Sequence, residues 1–323
     1  MKIAVLKPKT NCGVGKHTEN LIKNVFSKFG GVIEIREGDV WSRHGFMDVE
    51  TFENIIDSSN PSVLIVPFEH GLISGIINEL RNCIQYTKRI CPTVMIVHGI
   101  DMDGLVAKQI RFLSPDAVAC LKKQACKVLF NFGIPAIYVT HGCNKPIRRR
   151  FGSNKLLAYG TIYRWKNYEF CLALRKWFNI DVIVFRSEKY DYAYEKELKK
   201  QGVTVRNWVN DDELRKIILE HDVVLAPYVH VNWCCCTGKL YECAQYSTPL
   251  LASDSLLCNE VAEVCPSLVT PLNIWTWRER IQHILKHIDE YSDFMYEFAL
   301  KNTWDIVYEQ FKEVLQLAEA TYT

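Results

Sequence analysis

The sequence lacks any apolar run near the roughly 18–20 residues that a membrane-spanning helix needs, so no integral span is expected. It also lacks an even, regularly spaced set of cysteines. The 13 cysteines lie scattered through apolar segments, as at Cys83, Cys91, Cys120, Cys126 and Cys171. That excludes a disulfide framework and points to buried thiols in a reducing compartment. The histidine and carboxylate spacings match no zinc pattern, so no metal is inferred. The opening Met-Lys-Ile-Ala-Val-Leu is interrupted by Lys7-Pro8-Lys9 before a signal-peptide core can form, and it reads as a strand. A soluble, cytoplasmic protein follows. Net charge is small, +2, but unevenly shared. Residues 1–150 hold 20 Lys and Arg against 13 Asp and Glu, whereas the rest is acidic. A basic half suits an anionic partner, either nucleic acid or a phospholipid surface.

What is present is a long alternation of short apolar runs and amphipathic segments. With 323 residues, 48% of them hydrophobic, the chain suits two domains of roughly 150 residues each. A strand at 2–6 leads into Asn11-Cys-Gly13-Val-Gly15-Lys-His17 and then an amphipathic helix, the opening of a Rossmann-like domain. Gly13 and Gly15 would let backbone approach a ligand, but the third glycine of a dinucleotide fingerprint is missing, which excludes a nicotinamide site. Residues 41–46 mix aromatic and basic side chains in an expected loop suited to stacking on a base or sugar, or to packing as a surface flap. Strands at 62–67 and 93–97 end in Glu69 and His70 and in His98 and Asp101, which together with the two glycines make one polar rim at strand carboxyl ends. Further strands are expected at 117–120 and 136–140. The Gly-, Pro- and Arg-rich residues 141–154 read as a linker.

The second half repeats the pattern from a strand at 156–159 to a long closing helix after Asn302-Thr303-Trp304. Its centre is Trp233-Cys-Cys-Cys-Thr237-Gly238-Lys239-Leu-Tyr-Glu242, a polar stretch in which Thr237 and Gly238 open a helix, followed by Thr248-Pro249 and a buried strand at 250–252. Strand, loop and helix start can present N–H groups to phosphate, with Lys239 and Glu242 in the first turns. The same pattern also fits an ordinary βαβ unit.

Taken in order, these motifs resemble the GT-B glycosyltransferases of the retaining family-4 type, nearly end to end. The matching segments are Asn11-Cys-Gly-Val-Gly15, Pro67-Phe-Glu-His-Gly71, the strand ending at His98, Val139-Thr-His141-Gly142, Gly160 with Lys166, Lys239-Leu-Tyr-Glu242, and the Thr303-Trp304-Asp305 helix. The resemblance implies an α/β protein of two Rossmann-like domains facing a central cleft. Residues 1–150 would bind the acceptor, 151–302 the nucleotide sugar, and helix 303–323 would return to the first domain. It implies Glu242 on the ribose hydroxyls, with Lys166, Lys239 and Arg164 meeting the diphosphate. Gly160, Thr161, Cys234, Cys236, Thr237 and Gly238 would line the donor, and Gly13, Gly15, Glu69, His70, His98 and Asp101 the acceptor side. No cofactor or metal is implied beyond the nucleoside-diphosphate sugar as co-substrate.

The chain departs from the family pattern at three places. Cys234 stands where a second glutamate commonly reads the sugar, Thr161 where an arginine follows the loop glycine, and Ser247 where glycine is usual. Three adjacent thiols at 234–236 cannot all point one way, which favours local packing over a metal or redox centre. The expected acceptor is anionic or membrane-associated, such as a lipid-linked glycan at a membrane surface. Two alternatives stand beside it: a phage-type enzyme glycosylating modified DNA bases in an infected cell, and a non-catalytic nucleotide-sugar-binding protein. No lysine-cofactor motif supports a phosphorylase.

Overall fold

The computed structural model describes residues 1–9, 12–42, 45–187, 190–229 and 231–322. Strands form where short apolar runs rich in Val and Ile are bounded by Pro, Gly, Asn or Asp. In the first half these are β1 (Lys2–Lys7), β2 (Gly31–Arg36), β3 (Val63–Phe68), β4 (Thr93–Val97), β5 (Ala117–Cys120) and β6 (Ile137–Tyr138). They pair in the order β2-β1-β3-β4-β5-β6, every pair parallel. All residues of β3, β4 and β5 are buried, as expected of parallel strands covered on both faces. On one face, helices Val49–Ser59, Ile77–Thr87, Leu105–Leu113 and Lys123–Asn131 contribute Phe52, Ile84, Ile110 and Leu129 to a continuous core. The other face is covered by Gly13–Leu21, its π-helical continuation Ile22–Phe26, and the final helix Trp304–Tyr322. There Phe26 meets Phe311 edge to face at 5.2 Å.

The second half forms β7 (Lys155–Thr161), β8 (Asn179–Phe185), β9 (Thr204–Arg206), β10 (Val223–Ala226), β11 (Leu250–Ser253) and β12 (Val269–Thr270). Its order is β9-β8-β7-β10-β11-β12, again all parallel. The strand order reverses between β7 and β10, and a crevice opens outside the carboxyl ends of such a pair. Asn210 caps the helix Asp211–Leu219 in a reciprocal box with Glu213, as the acidic first turn leads one to expect. No helix among the described residues is long and apolar enough to cross a membrane.

The compact units differ from the expected boundaries of 1–150, 151–302 and 303–323. The first unit comprises Met1–Gly142, Asn232–Cys236 and Trp304–Thr323; the second comprises Cys143–Val231 and Thr237–Thr303. Residues 232–236 join the first unit through a short strand, Trp233–Cys235, which pairs antiparallel with Gly99–Asp101. The expected loop at 41–46 is instead a small hairpin, Trp41–Ser42 against Phe46–Met47. Trp41 is 1% exposed and its indole N–H donates to the Ile35 carbonyl at 3.1 Å, so burial removes it from any stacking role. Arg43 and His44 lie outside the described residues.

Candidate functional site

In the second unit, the carboxyl end of β7 is Tyr159-Gly160-Thr161. Gly160 has φ of +135°, a conformation that favours glycine, and a side chain there would bring its Cβ to 2.7 Å from the Lys166 Nζ. The absence of a side chain therefore lets Lys166, from the turn Arg164–Lys166, lie over the strand end and donate to Thr161 Oγ1 at 2.7 Å. The helix Gly238–Ala244 supplies the second cation: Lys239 Nζ donates to the Tyr159 carbonyl at 2.6 Å and lies 4.4 Å from the Tyr159 ring and 5.2 Å from that of Tyr228. Both lysines are buried. Burial lowers the Lys239 pKa, partly offset by Cys243 and Glu242. Glu242 lies three residues along the same helix and so on the same face as Lys239. Its Oε2 accepts from the Tyr159 hydroxyl at 2.8 Å. Burial, then Cys243 and Glu242, push the Tyr159 phenol well above its ordinary range, so it stays protonated as a donor.

This arrangement brings together Gly160, Thr161, Lys166, Lys239 and Glu242 from the expected set, and adds Tyr159 and Tyr228, which no local sequence pattern marks. A strand end with two buried cations and a carboxylate can hold an anion beside a polyhydroxyl group.

Other expected residues are engaged elsewhere. Arg164 faces away, held by Asp191 at 3.0 Å and Glu197 at 2.9 Å and stacked on Tyr194. The Thr237 N–H, expected to face phosphate, donates to the Glu260 carboxylate at 2.6 Å. Cys234 is fully buried in the core of the first unit, opposite Ile100 on the neighbouring strand. Its side chain has no surface with which to read a sugar, and the local-packing reading describes it. Cys236 packs against the first unit's other core. Two arginines of the basic run are also internal partners. Arg148 pairs with Asp293 and stacks on Tyr296, while Arg149 is buried against the Ile218 and His221 carbonyls.

In the first unit the polar rim takes a different form. His98, following β4, lies 5.1 Å from His17 ring to ring, and His17 lies 4.1 Å from His141. His17 Nε2 is 2.8 Å from the His141 carbonyl oxygen and must be its protonated nitrogen, which leaves Nδ1 as an acceptor. His17 Nδ1 and His98 Nε2 are buried without hydrogen-bond partners in the structure. Burial lowers all three pKa values, with further lowering of each by a neighbouring histidine; His141 falls to about 3. The cluster is neutral at pH 7. Asp101 is used structurally: its carboxylate accepts the N–H groups of Leu105 and Val106 at 2.9 and 2.7 Å and starts a helix. His70 bonds Gln109 at 3.0 Å. Glu69 leads the short helix His70–Ile73. Gly15 admits no side chain because a Cβ would collide with the Lys9 carbonyl, whereas the space around Gly13 is open. The close approach at Gly15 is thus made by the protein's own loop.

No family model matches the sequence, and no curated protein does. Solved structures match in fold. HepE of Anabaena, in complex with UDP and glucose, superposes with a TM-score of 0.69 at 9% identity, covering 98% of this chain and 99% of that one. An alpha-glucosyltransferase in complex with UDP and a 13-mer DNA gives 0.64 at 12% identity, covering 98% and 99%. TarM of S. aureus, in complex with Fondaparinux, alpha-GlcNAc-glycerol and UDP, gives 0.65 at 10% identity over 83% of this chain, which spans 59% of the TarM chain. Two six-stranded parallel Rossmann-like sheets, with the final helix packed on strands of the first, make this a protein of the GT-B fold.

Proposed function

We propose that the protein is a glycosyltransferase that uses a nucleoside-diphosphate sugar, with a UDP-sugar the first donor to test. The carrying observation is the buried pair Lys166 and Lys239 at the β7 strand end, beside Glu242. When the bond from the anomeric carbon to the diphosphate breaks, negative charge grows on the departing phosphate oxygen. Two preplaced ammonium groups meet that charge, and each well-placed donor is worth about 3 kcal/mol of barrier. Glu242 accepts from ribose hydroxyls. On this reading the two lysines neutralise the departing diphosphate. Retention of configuration is part of the proposal through the family resemblance. His98 belongs to the acceptor side of this proposal through the family resemblance.

The acceptor is proposed to be anionic, or held at an anionic membrane surface. Helices Leu105–Leu113 and Lys123–Asn131 carry exposed Lys108, Arg111, Lys123 and Lys127, contain no acidic residue, and expose Leu105, Phe112 and Phe130 among the cations. Apolar side chains between cations suit a lipid interface. DNA is the second reading, favoured by the same cations and by the DNA-bound structural neighbour. Co-sedimentation with anionic vesicles, against low-salt retention on duplex DNA, separates them.

The test of the enzyme reading is a thermal-shift panel of UDP-, GDP-, ADP- and TDP-sugars, followed by donor hydrolysis or transfer assays. Stabilisation by one donor and turnover abolished by Lys166→Ala are expected. Stabilisation without turnover would leave a nucleotide-sugar-binding protein; no stabilisation would overturn the reading.

A further inference from the structure

We infer that Tyr159 is a positioning residue that orients Glu242 toward the ribose and Lys239 toward the phosphate at once, an inference that rests on the nucleotide-sugar reading above. Three parts of this one residue are engaged. Its hydroxyl donates to Glu242 Oε2 at 2.8 Å, its carbonyl accepts from Lys239 Nζ at 2.6 Å, and its ring lies 4.4 Å from the same ammonium. Tyr159 is 3% exposed and lies near the end of β7, where it pairs with Ile183 in the sheet, so its backbone is fixed. Glu242 is the last long side chain of a short helix and is half-buried. A phenol on one oxygen fixes the plane of its carboxylate, and a carboxylate has about four acceptor positions, so hydroxyl groups of a ligand can share it. Cys243 Sγ is also 4.0 Å from the phenol oxygen, but a thiol is a weak partner beside a carboxylate. Ribose recognition by a carboxylate depends on its direction, which the Tyr159 hydroxyl constrains here.

Tyr159→Phe removes the hydroxyl and keeps the ring and the carbonyl, so the Lys239 contacts survive. The experiment measures binding of UDP, ADP and GDP and of their 2′-deoxy counterparts by titration calorimetry to wild type and to Tyr159→Phe. Wild type is expected to prefer the ribonucleotide, and Tyr159→Phe to lose about tenfold of that preference, the scale of a hydrogen bond to a charged group. Phosphate affinity, read with inorganic pyrophosphate, is expected to stay. In Glu242→Gln the preference is lost too, and adding Tyr159→Phe should take nothing more, because both act through one contact. A ribose preference undiminished in Tyr159→Phe, or a further loss in the double variant, overturns the inference. Wild type that binds the diphosphates without ribose preference overturns it as well. Wild type that binds no nucleoside diphosphate overturns the nucleotide-sugar reading itself, which is a distinguishable result. Should Tyr159→Phe fold poorly, the comparison of Glu242→Gln with Glu242→Asp reads the same dependence on carboxylate direction: a shortened carboxylate that keeps full preference refutes it.

Discussion

At the carboxyl ends of its first sheet the protein gathers three neutral histidines, and at those of its second it gathers two lysines and a glutamate. The histidine rings and the two lysines are withdrawn from water, but by different means. The histidines survive burial by giving up charge: their pKa values fall, and two ring nitrogens are left with open hydrogen-bonding capacity. The lysines are held by oxygens of their own strand end, Thr161 Oγ1 and the Tyr159 carbonyl, and by aromatic faces. A neutral polar cluster suits hydroxyl groups; a caged cationic one suits phosphate. The two halves share one fold class yet offer a neutral cluster at one set of strand ends and a cationic one at the other.

That contrast can be broken experimentally. The largest effect is expected for Lys239→Met, which removes the buried cation while filling its volume. Transfer should fall about 10²–10³-fold, with a loss of only about 1–3 kcal/mol in unfolding free energy, the cost of leaving the Tyr159 carbonyl without its donor. Parallel kinetics and chemical denaturation test it; a loss of stability matching the loss of activity would mean that Lys239 is structural.

Next is pH. Each histidine has its folded-state pKa below the ordinary 6.5, so below that pH the unfolded chain binds more protons than the folded one. The stability they contribute is fully present above about pH 6.5. It is lost as pH falls toward their folded values, about 3 for His141. Each contributes up to about 1.4 kcal/mol per pH unit. Denaturation of wild type at pH 7.5, 6 and 5 should show that slope, and His141→Asn should flatten it. Equal slopes in both would remove His141 from the account.

A smaller effect is expected for Cys234→Ser, which places a hydroxyl in the first unit's core. It should cost about 1–3 kcal/mol of stability and leave donor-sugar selection as in wild type, read from a donor competition assay. Altered sugar selection would return Cys234 to the site. The smallest belongs to Arg164→Ala. Its exposed pairs with Asp191 and Glu197 should leave donor affinity and turnover unchanged; a large fall in turnover would restore its phosphate role.

How much of this was legible in the sequence depended on how local the cause was. Strands β4 and β5 match the apolar runs at 93–97 and 117–120 residue for residue, because a strand buried on both faces is written as a largely apolar run. Gly160 with Lys166 came through the family resemblance, and the contact is local, since the turn Arg164–Lys166 follows closely on the strand that ends with Gly160 and Thr161. The antiparallel strand Trp233–Cys235 was not, since its partner Gly99–Asp101 lies over a hundred residues upstream and three cysteines carry no period-two signal. Arg164 looked placed for phosphate until the helix Tyr192–Lys200 brought Glu197 to it. His17 and His141 stood in quoted motifs, yet only tertiary packing sets them against His98. Tyr159 read as one more apolar strand residue, and nothing local marks where its hydroxyl ends.

The short strand at 233–235 also bears on how the chain leaves the ribosome. The first unit is delivered in three portions, closing only after residues 232–236 and then the helix from Trp304 have been made. Until then the partners of Phe311, Val307 and Val314, among them Phe26, Val25 and Ile96, lack their cover. The nascent first unit must therefore wait with an apolar face open until the helix from Trp304 has emerged, the condition under which chains associate wrongly.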